Sequence, residues 1–218
     1  MIERLETQKI DTQRDRNLIG LFPGSRLREV RKIFPVMIEA ARRLLQLNPT
    51  LRFQVAAASE ELAREMSEML RAEQLADRET IEIAVGQTAA IMQRAFVGIV
   101  ASGSATLEAA YFGMPFVLIY KVAWPTYVAA RLVVNVDFLG MPNLLAGKEV
   151  VPEFIQHEAK PNVIVDAVRL LMEDSPARDR MISDFEVTTS KLGGTGASER
   201  AAQAILEELH TGAPSATR

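Results

Sequence analysis

The chain has 218 residues, 48% of them hydrophobic and 24% charged, with a net charge of −3 and no cysteine. That length buries a sizeable core and suits one large domain or a domain and a half, and the apolar and charged fractions are those of a soluble globular protein. The balance of charge argues against a nucleic-acid surface, while the lack of cysteine excludes disulfides, thiol nucleophiles and thiolate metal sites and fits a reducing compartment.

Met1 to Asn17 is rich in Glu, Arg, Gln and Asp and has no apolar run, so it does not read as a signal peptide. No stretch of the sequence is apolar for the roughly 18 residues a membrane span needs, so any membrane contact is expected to be peripheral. Asn17 to Phe22 is a short apolar run closed by Pro23-Gly24 and reads as a buried parallel strand. Val30, Ile33, Phe34, Met37, Ala41, Leu44 and Leu45 then recur at helical spacing, with Pro35 expected to mark a break or a first turn. Leu51 to Ala58 is the next strand, and Ser59 caps a helix carrying Leu62, Met66, Met69 and Leu70 on one face. Thr80 to Val85 reads as a third strand and Thr88 to Arg94 as a short helix. Phe96 to Ala101 is a fourth strand, Ser102-Gly103-Ser104 opens a helix that ends at Gly113, and Pro115 to Tyr120 is a fifth strand.

Beyond Tyr120 the pattern changes. Trp124 to Val134 is an apolar helical stretch, read as core-packed in preference to membrane-docked because it lacks a rich basic face. Asn135 to Gln156 reads as irregular. Three helices are expected at Pro161 to Glu173, Pro176 to Leu192 and Ala197 to Leu209, with Gly193-Gly194 as a stop between the last two. The expected organisation is an N-terminal extension or inter-domain remnant over 1–16, one domain over 17–210 and a flexible tail over 211–218.

Five alternations of strand and helix predict an α/β fold, a Rossmann-like parallel sheet with helices on both faces. Ligands of such sheets bind at the carboxyl ends of the strands, and two glycine turns fall there. Gly24-Ser25-Arg26 joins a flexible residue, a hydroxyl and a permanent cation at a helix start, where the dipole favours an anion. Ser102 to Glu108 holds two serines, a glycine and a threonine, more than a cap requires, and Glu108 one turn later is an acceptor for sugar hydroxyls. Together the turns suggest a grip on a diphosphate, with an ordinary turn and an ordinary cap as the alternatives for each alone. Neither matches a Walker loop or the dinucleotide fingerprint. Asn143, Glu153 and Gln156 fall in the irregular segment overhanging the same edge, where polar residues either contact ligand or face water. The two histidines, His157 and His210, have no metal partner or nucleophile at a useful spacing, so no metal site is expected.

Phe22-Pro23-Gly24-Ser25-Arg26 with Glu29, Ala101 to Glu108, Tyr120-Lys121, Met141 to Leu145, Val151 to Gln156 and Gly196-Ala197-Ser198 follow one another in a fixed order. This series closely resembles the lipid-A-disaccharide synthase family from about Asn17 to Leu209. Ser104 stands where the family more often has Thr, which retains the hydroxyl. The resemblance implies the C-terminal half of a glycosyltransferase B fold, the half that holds the nucleotide sugar. It implies transfer of 2,3-diacylglucosamine from UDP to 2,3-diacylglucosamine 1-phosphate in the lipid A biosynthesis that feeds lipopolysaccharide. That reaction takes place at the cytoplasmic face of the inner membrane, with no metal or organic cofactor.

By the same resemblance Arg26 would be the catalytic residue of this half, stabilising the departing diphosphate, with Gly24 and Ser25 closing its turn. Ser102, Gly103, Ser104 and Thr106 would donate to the same group, Glu108 would hold ribose hydroxyls, and Asn143, Glu153 and Gln156 would line the donor pocket. The acceptor site and the general base would belong to an N-terminal half, a partner outside this sequence, and an apolar face where that half sits would favour a homodimer. Two other readings stand beside this one. The chain is a UDP-binding module inert without a partner, or another enzyme of the same architecture, such as a UDP-N-acetylglucosamine 2-epimerase, for which no acid and base candidates emerge.

Overall fold

The computed structural model describes residues 2–75, 80–121 and 138–192, together with Ala202, Gln203, Ile205 and Leu206. Strand β1 (Asp15–Phe22) starts polar and ends in a run of buried residues, the pattern of a strand entering a sheet covered on both faces. Helix α2 (Leu27–Leu47) lays Val30, Ile33, Phe34, Met37, Ile38, Ala41 and Leu44 against that sheet. It continues through Pro35, which lies in its interior and marks neither a break nor a first turn. Pro35 and Arg31 both lie on the exposed face, so the carbonyl left without a helical donor is open to water.

Strand β2 (Arg52–Ala57) leads to α3 (Glu60–Ala72), whose first turn is capped by Ser59 accepting from the Leu62 N–H. Then follow β3 (Ile81–Val85), α4 (Thr88–Arg94), the wholly buried β4 (Ala95–Ala101), α5 (Ser104–Tyr111) and β5 (Phe116–Tyr120). The segment read as irregular contains two elements, α6 (Met141–Ala146) and a sixth strand β6 (Glu153–Ile155). Asn143 organises them: its side-chain oxygen accepts from the Val150 and Val151 N–H groups, and its amide donates to the Val151 carbonyl and to Glu153. Helices α7 (Pro161–Met172) and α8 (Pro176–Ser190) complete the core, α8 being capped by Ser175. The Trp124 to Val134 stretch, the Gly193-Gly194 stop and the tail lie outside the described residues. Of the last expected helix, Ala202, Gln203, Ile205 and Leu206 are helical and exposed.

Among the described residues six strands form one parallel sheet, in the order β3-β2-β1-β4-β5-β6. The chain winds outward from β1 to β3, then crosses back through α4 and lays β4 on the free side of β1. Strands β1 and β4 therefore flank the point where the winding reverses, which is where a crevice opens in sheets of this kind. Helix α2 packs with α3 and α7, and α5 packs with α4, α6 and α8. Phe116 of β5 stacks on Phe185 of α8 with ring centroids 5.7 Å apart, closing the core on the α5 side.

Residues 2–14 run along α4 and α5. Helix α1 (Ile2–Glu6) buries Leu5 completely. The Ile10 N–H donates to Gln93, Gln93 donates to the Gln8 carbonyl, and Arg14 donates to the carbonyls of Met92, Ala95 and Phe112 at the ends of α4 and α5. This segment was expected to be an extension or an inter-domain remnant.

Candidate functional site

The carboxyl ends of β1 and β4 open onto a cleft of about 490 Å³. Gly24, Ser25, Arg26 and Glu29 form one wall, and Ser102, Gly103, Ser104 and Glu108 form the facing one. Phe22 and Ala101 end the two strands beneath, Gly86 and Thr88 close the side toward β3, and Arg4 and Gln8 reach in from the N-terminal segment.

Three helix starts border this cleft without side-chain caps, those of α2, α4 and α5, and the first and last stand on facing walls. Arg26 is the N-cap of α2, and the first main-chain bonds run from Glu29 and Val30 to its carbonyl, so the N–H groups of Leu27 and Arg28 have no acceptor in the helix. Gly103 is the N-cap of α5, where the Thr106 N–H turns back to the Gly103 carbonyl and the N–H groups of Ser104 and Ala105 are left over. Away from the cleft, α3 and α8 carry serine caps and α6 and α7 carry none. Unsatisfied amides at the positive ends of two helix dipoles make a cradle for an anion. Gly24 permits the first turn: its φ is +108°, and a Cβ there would lie 2.8 Å from the Glu29 carboxylate. A Cβ on Gly103 would project into open space.

Each wall pairs an arginine with a carboxylate. Arg26 Nη1 donates to Glu29 Oε1 at 2.8 Å, with the arginine side chain 80% exposed. Arg4 Nη2 donates to Glu108 Oε1 at 2.6 Å, with Glu108 only 12% exposed. Exposed ion pairs are weakly held, so an incoming anion can compete for Arg26 at small cost.

Seven of the residues singled out from sequence therefore share one cleft: Gly24, Ser25, Arg26, Ser102, Gly103, Ser104 and Glu108. Thr106, Asn143, Glu153 and Gln156 do not line it. Thr106 is fully buried, and its hydroxyl donates to the Gly103 carbonyl at 2.7 Å, shaping the turn from within. Asn143 is equally buried, its amide engaged with α6–β6 backbone and Glu153. The Glu153 carboxylate accepts from the Leu139 and Gly140 N–H groups, both at 2.8 Å. Gln156 is buried at φ +50°, its N–H bonded to the Tyr120 carbonyl. Sequence reasoning gave no role to Arg4, Gln8, Glu29 or Thr88. Glu29 stood beside Arg26 in the first motif, whereas Arg4 has no local signal, its partner lying 104 residues away. Among the described residues, no three His, Asp or Glu side chains are grouped to hold a metal ion.

A family model described as lipid-A-disaccharide synthetase matches residues 2–207. Curated relatives include the lipid-A-disaccharide synthase of Geobacter sulfurreducens, 34% identical over 194 residues that cover 89% of this chain and 50% of the relative. That of Myxococcus xanthus is 34% identical over 205 residues, covering 94% of this chain and 52% of the relative. The chain thus spans about half the length of the curated relatives it matches. Among solved structures, the S. aureus MnaA-UDP co-structure aligns with a TM-score of 0.61 at 16% identity, over 96% of this chain and 52% of that one. The UDP-GlcNAc 2-epimerase from Neisseria meningitidis bound to UDP-GlcNAc aligns with a TM-score of 0.57 at 15% identity, over 94% and 49%. At such identities these likenesses speak to the fold alone, the Rossmann-like half of a glycosyltransferase B architecture.

Proposed function

The chain belongs to the lipid-A-disaccharide synthetase family of glycosyltransferases, and on that premise we propose that residues 17–210 form the half that binds the UDP-sugar donor. The observation that carries this reading is the meeting of Arg26 and the two uncapped helix starts of α2 and α5 on one cleft, at the reversal point of the sheet. The donor is UDP-2,3-diacylglucosamine and the acceptor 2,3-diacylglucosamine 1-phosphate. An acceptor hydroxyl attacks the anomeric carbon, the bond to the diphosphate breaks, and UDP departs.

Negative charge grows on the diphosphate as that bond lengthens. On this reading Arg26, drawn from Glu29, and the amides at the starts of α2 and α5 meet that charge, so they stabilise the departing group more than the bound substrate and lower the barrier. Glu108, on the wall facing Arg26, accepts from ribose hydroxyls and sets the nucleotide's direction in the cleft. The base that takes the acceptor's proton belongs, on this reading, to the half of the relatives that this chain does not match. On this reading the reaction takes place at the cytoplasmic face of the inner membrane, by peripheral contact. No helix among the described residues is long and apolar enough to cross a membrane.

Calorimetry with UDP tests the grip. Binding that is lost or weakened in Arg26→Ala and Glu108→Ala supports it, and binding by both variants equal to that of the parent chain refutes it. A second reading, a UDP-binding module inert on its own, is favoured by one observation, the span of about half of each relative. Turnover by the 218-residue chain alone would eliminate that module; turnover only after adding the N-terminal half of a relative would establish it.

A further inference from the structure

Helix α1 is fastened to α5 at two points in register. Arg4 Nη2 donates to Glu108 Oε1 at 2.6 Å, and one helical turn further along α5 the Tyr111 hydroxyl donates to Glu6. Lys9 reinforces the second point, 3.1 Å from the Glu6 carboxylate and 5.2 Å from the centre of the Tyr111 ring. Leu5, between the two polar residues, is wholly buried, so α1 is anchored by packing as well as by charge. The N-terminal segment thereby becomes a wall of the nucleotide cleft, with Arg4 and Gln8 on its surface.

We infer that Arg4 is a positioning residue for nucleotide binding: by holding Oε1 of Glu108, it fixes that carboxylate so that Oε2 is presented to the ribose hydroxyls. The inference rests on the proposal that Glu108 receives the ribose. Glu108 Oε2 has no partner among the described residues, while Oε1 is taken by Arg4. A glutamate side chain has several rotatable bonds, and a ligand that must order it gives up part of its binding energy. Arg4 orders it beforehand. Nothing in the sequence around Arg4 or Glu108 signals this coupling, because it is made by the docking of α1 across α5.

The test is calorimetry on the 218-residue chain with three probes: UDP, its 2′-deoxy analogue and inorganic pyrophosphate. Arg4→Ala is expected to weaken UDP about tenfold, in the range of a hydrogen bond to a charged group, and to narrow the parent's preference for UDP over the 2′-deoxy analogue. Pyrophosphate binding stays unchanged, and Arg4→Lys restores part of the preference. Tyr111→Phe loosens α1 without touching either Arg4 or Glu108, so it should give a smaller loss in the same direction; this variant decides the matter if Arg4→Ala folds poorly. Undiminished UDP binding and preference in a folded Arg4→Ala overturn the inference and leave the proposed function standing. An equal loss for pyrophosphate also overturns it, since Arg4 would then be a phosphate ligand. A parent chain that binds no UDP, or binds it without preference over the 2′-deoxy analogue, removes the ribose role of Glu108 and the inference with it.

Discussion

Gly20 of β1 and Gly98 of β4 are register partners across the two central strands, and the side chains of Phe22 and Met114 fill the space they leave. A Cβ on Gly20 would lie 2.6 Å from the Phe22 ring, and one on Gly98 would lie 2.5 Å from the Met114 methyl. Phe22 also borders the cleft, so the glycine pair sets the level of its base. A methionine tip can change rotamer, whereas a buried aromatic ring has little freedom. Gly20→Ala is therefore expected to cost about 1–3 kcal/mol, the usual range for overpacking, and Gly98→Ala less. Urea denaturation of both variants checks the order. In Gly20→Ala the displaced Phe22 should also weaken UDP, and an unchanged affinity would mean that the ring yields away from the cleft.

The turn after β1 depends on Gly24 in the same way that the cleft depends on Phe22. At φ +108° an L side chain is strained, and its Cβ would crowd Glu29 Oε2 while Oε1 holds Arg26. Gly24→Ala should lose roughly 1–3 kcal/mol of stability from backbone strain and should move Glu29 and Arg26 together. The expected calorimetric signature is weaker UDP binding. Gly147→Asn, outside the cleft, is the control, because a Cβ there meets nothing within 4 Å and asparagine tolerates its φ of +69°. Equal losses in the two variants would show that crowding by Glu29 plays no part.

The parts of the fold that the sequence displayed are those whose signals are local. Each of the first five strands carries its own apolar run, turn and helical repeat, and the two glycine turns show their chemistry within a few residues. Strand β6 carries no such local signal, because Glu153–Ile155 is short and only half-buried, with its placement set by Asn143 bonding to backbone up to eight residues away. Asn143 illustrates the limit: a polar residue in an apparent loop looks available to ligand, but burial and hydrogen bonds commit it to the scaffold. Thr106 does the same on a smaller scale, since a bond to the carbonyl three residues back competes with any bond to ligand. Arg4 could not be read from sequence at all, because its meaning arises only when α1 lies on α5.

Acid should weaken the chain in a defined window. The hydrogen bond from Arg43, with Arg42 beside it, holds the Glu39 carboxyl below its ordinary value of 4.5, and Arg31 does the same for Glu65. The Tyr111 hydroxyl, followed by Lys9, lowers Glu6. Each of these groups has a folded pKa below its unfolded one, so its contribution is present above the unfolded value and lost as pH falls through the folded value. The urea midpoint should be level from neutral pH to about 5 and should fall below about 4.5. Added salt should flatten that fall, since all three groups are reached by solvent. Glu39→Gln should reduce its slope, and an unaltered slope would assign the acid response to other carboxylates.

Arg178 gives the sharpest test of the scaffold at the opposite edge of the sheet. It is 5% exposed, donates to the carbonyls of Phe96 and Leu171 at 3.0 and 2.8 Å, and lies 3.6 Å from the centre of the Phe96 ring. Burial pushes its pKa down, and it adds to the burial that pushes Arg14 down to about 10. A planar guanidinium can bond two carbonyls and cover a ring at once, which an ammonium cannot. Arg178→Lys should therefore lose about 1–3 kcal/mol, and Arg178→Ala more, since both carbonyls and the space above Phe96 are then left unfilled. Phe96 lies near the start of β4 and the cleft beyond its end at Ala101. UDP affinity should consequently be unchanged in any Arg178 variant that remains folded. A folded Arg178→Lys with weakened UDP binding would show that strain at the base of β4 is transmitted along the strand to the Ser102–Ser104 turn.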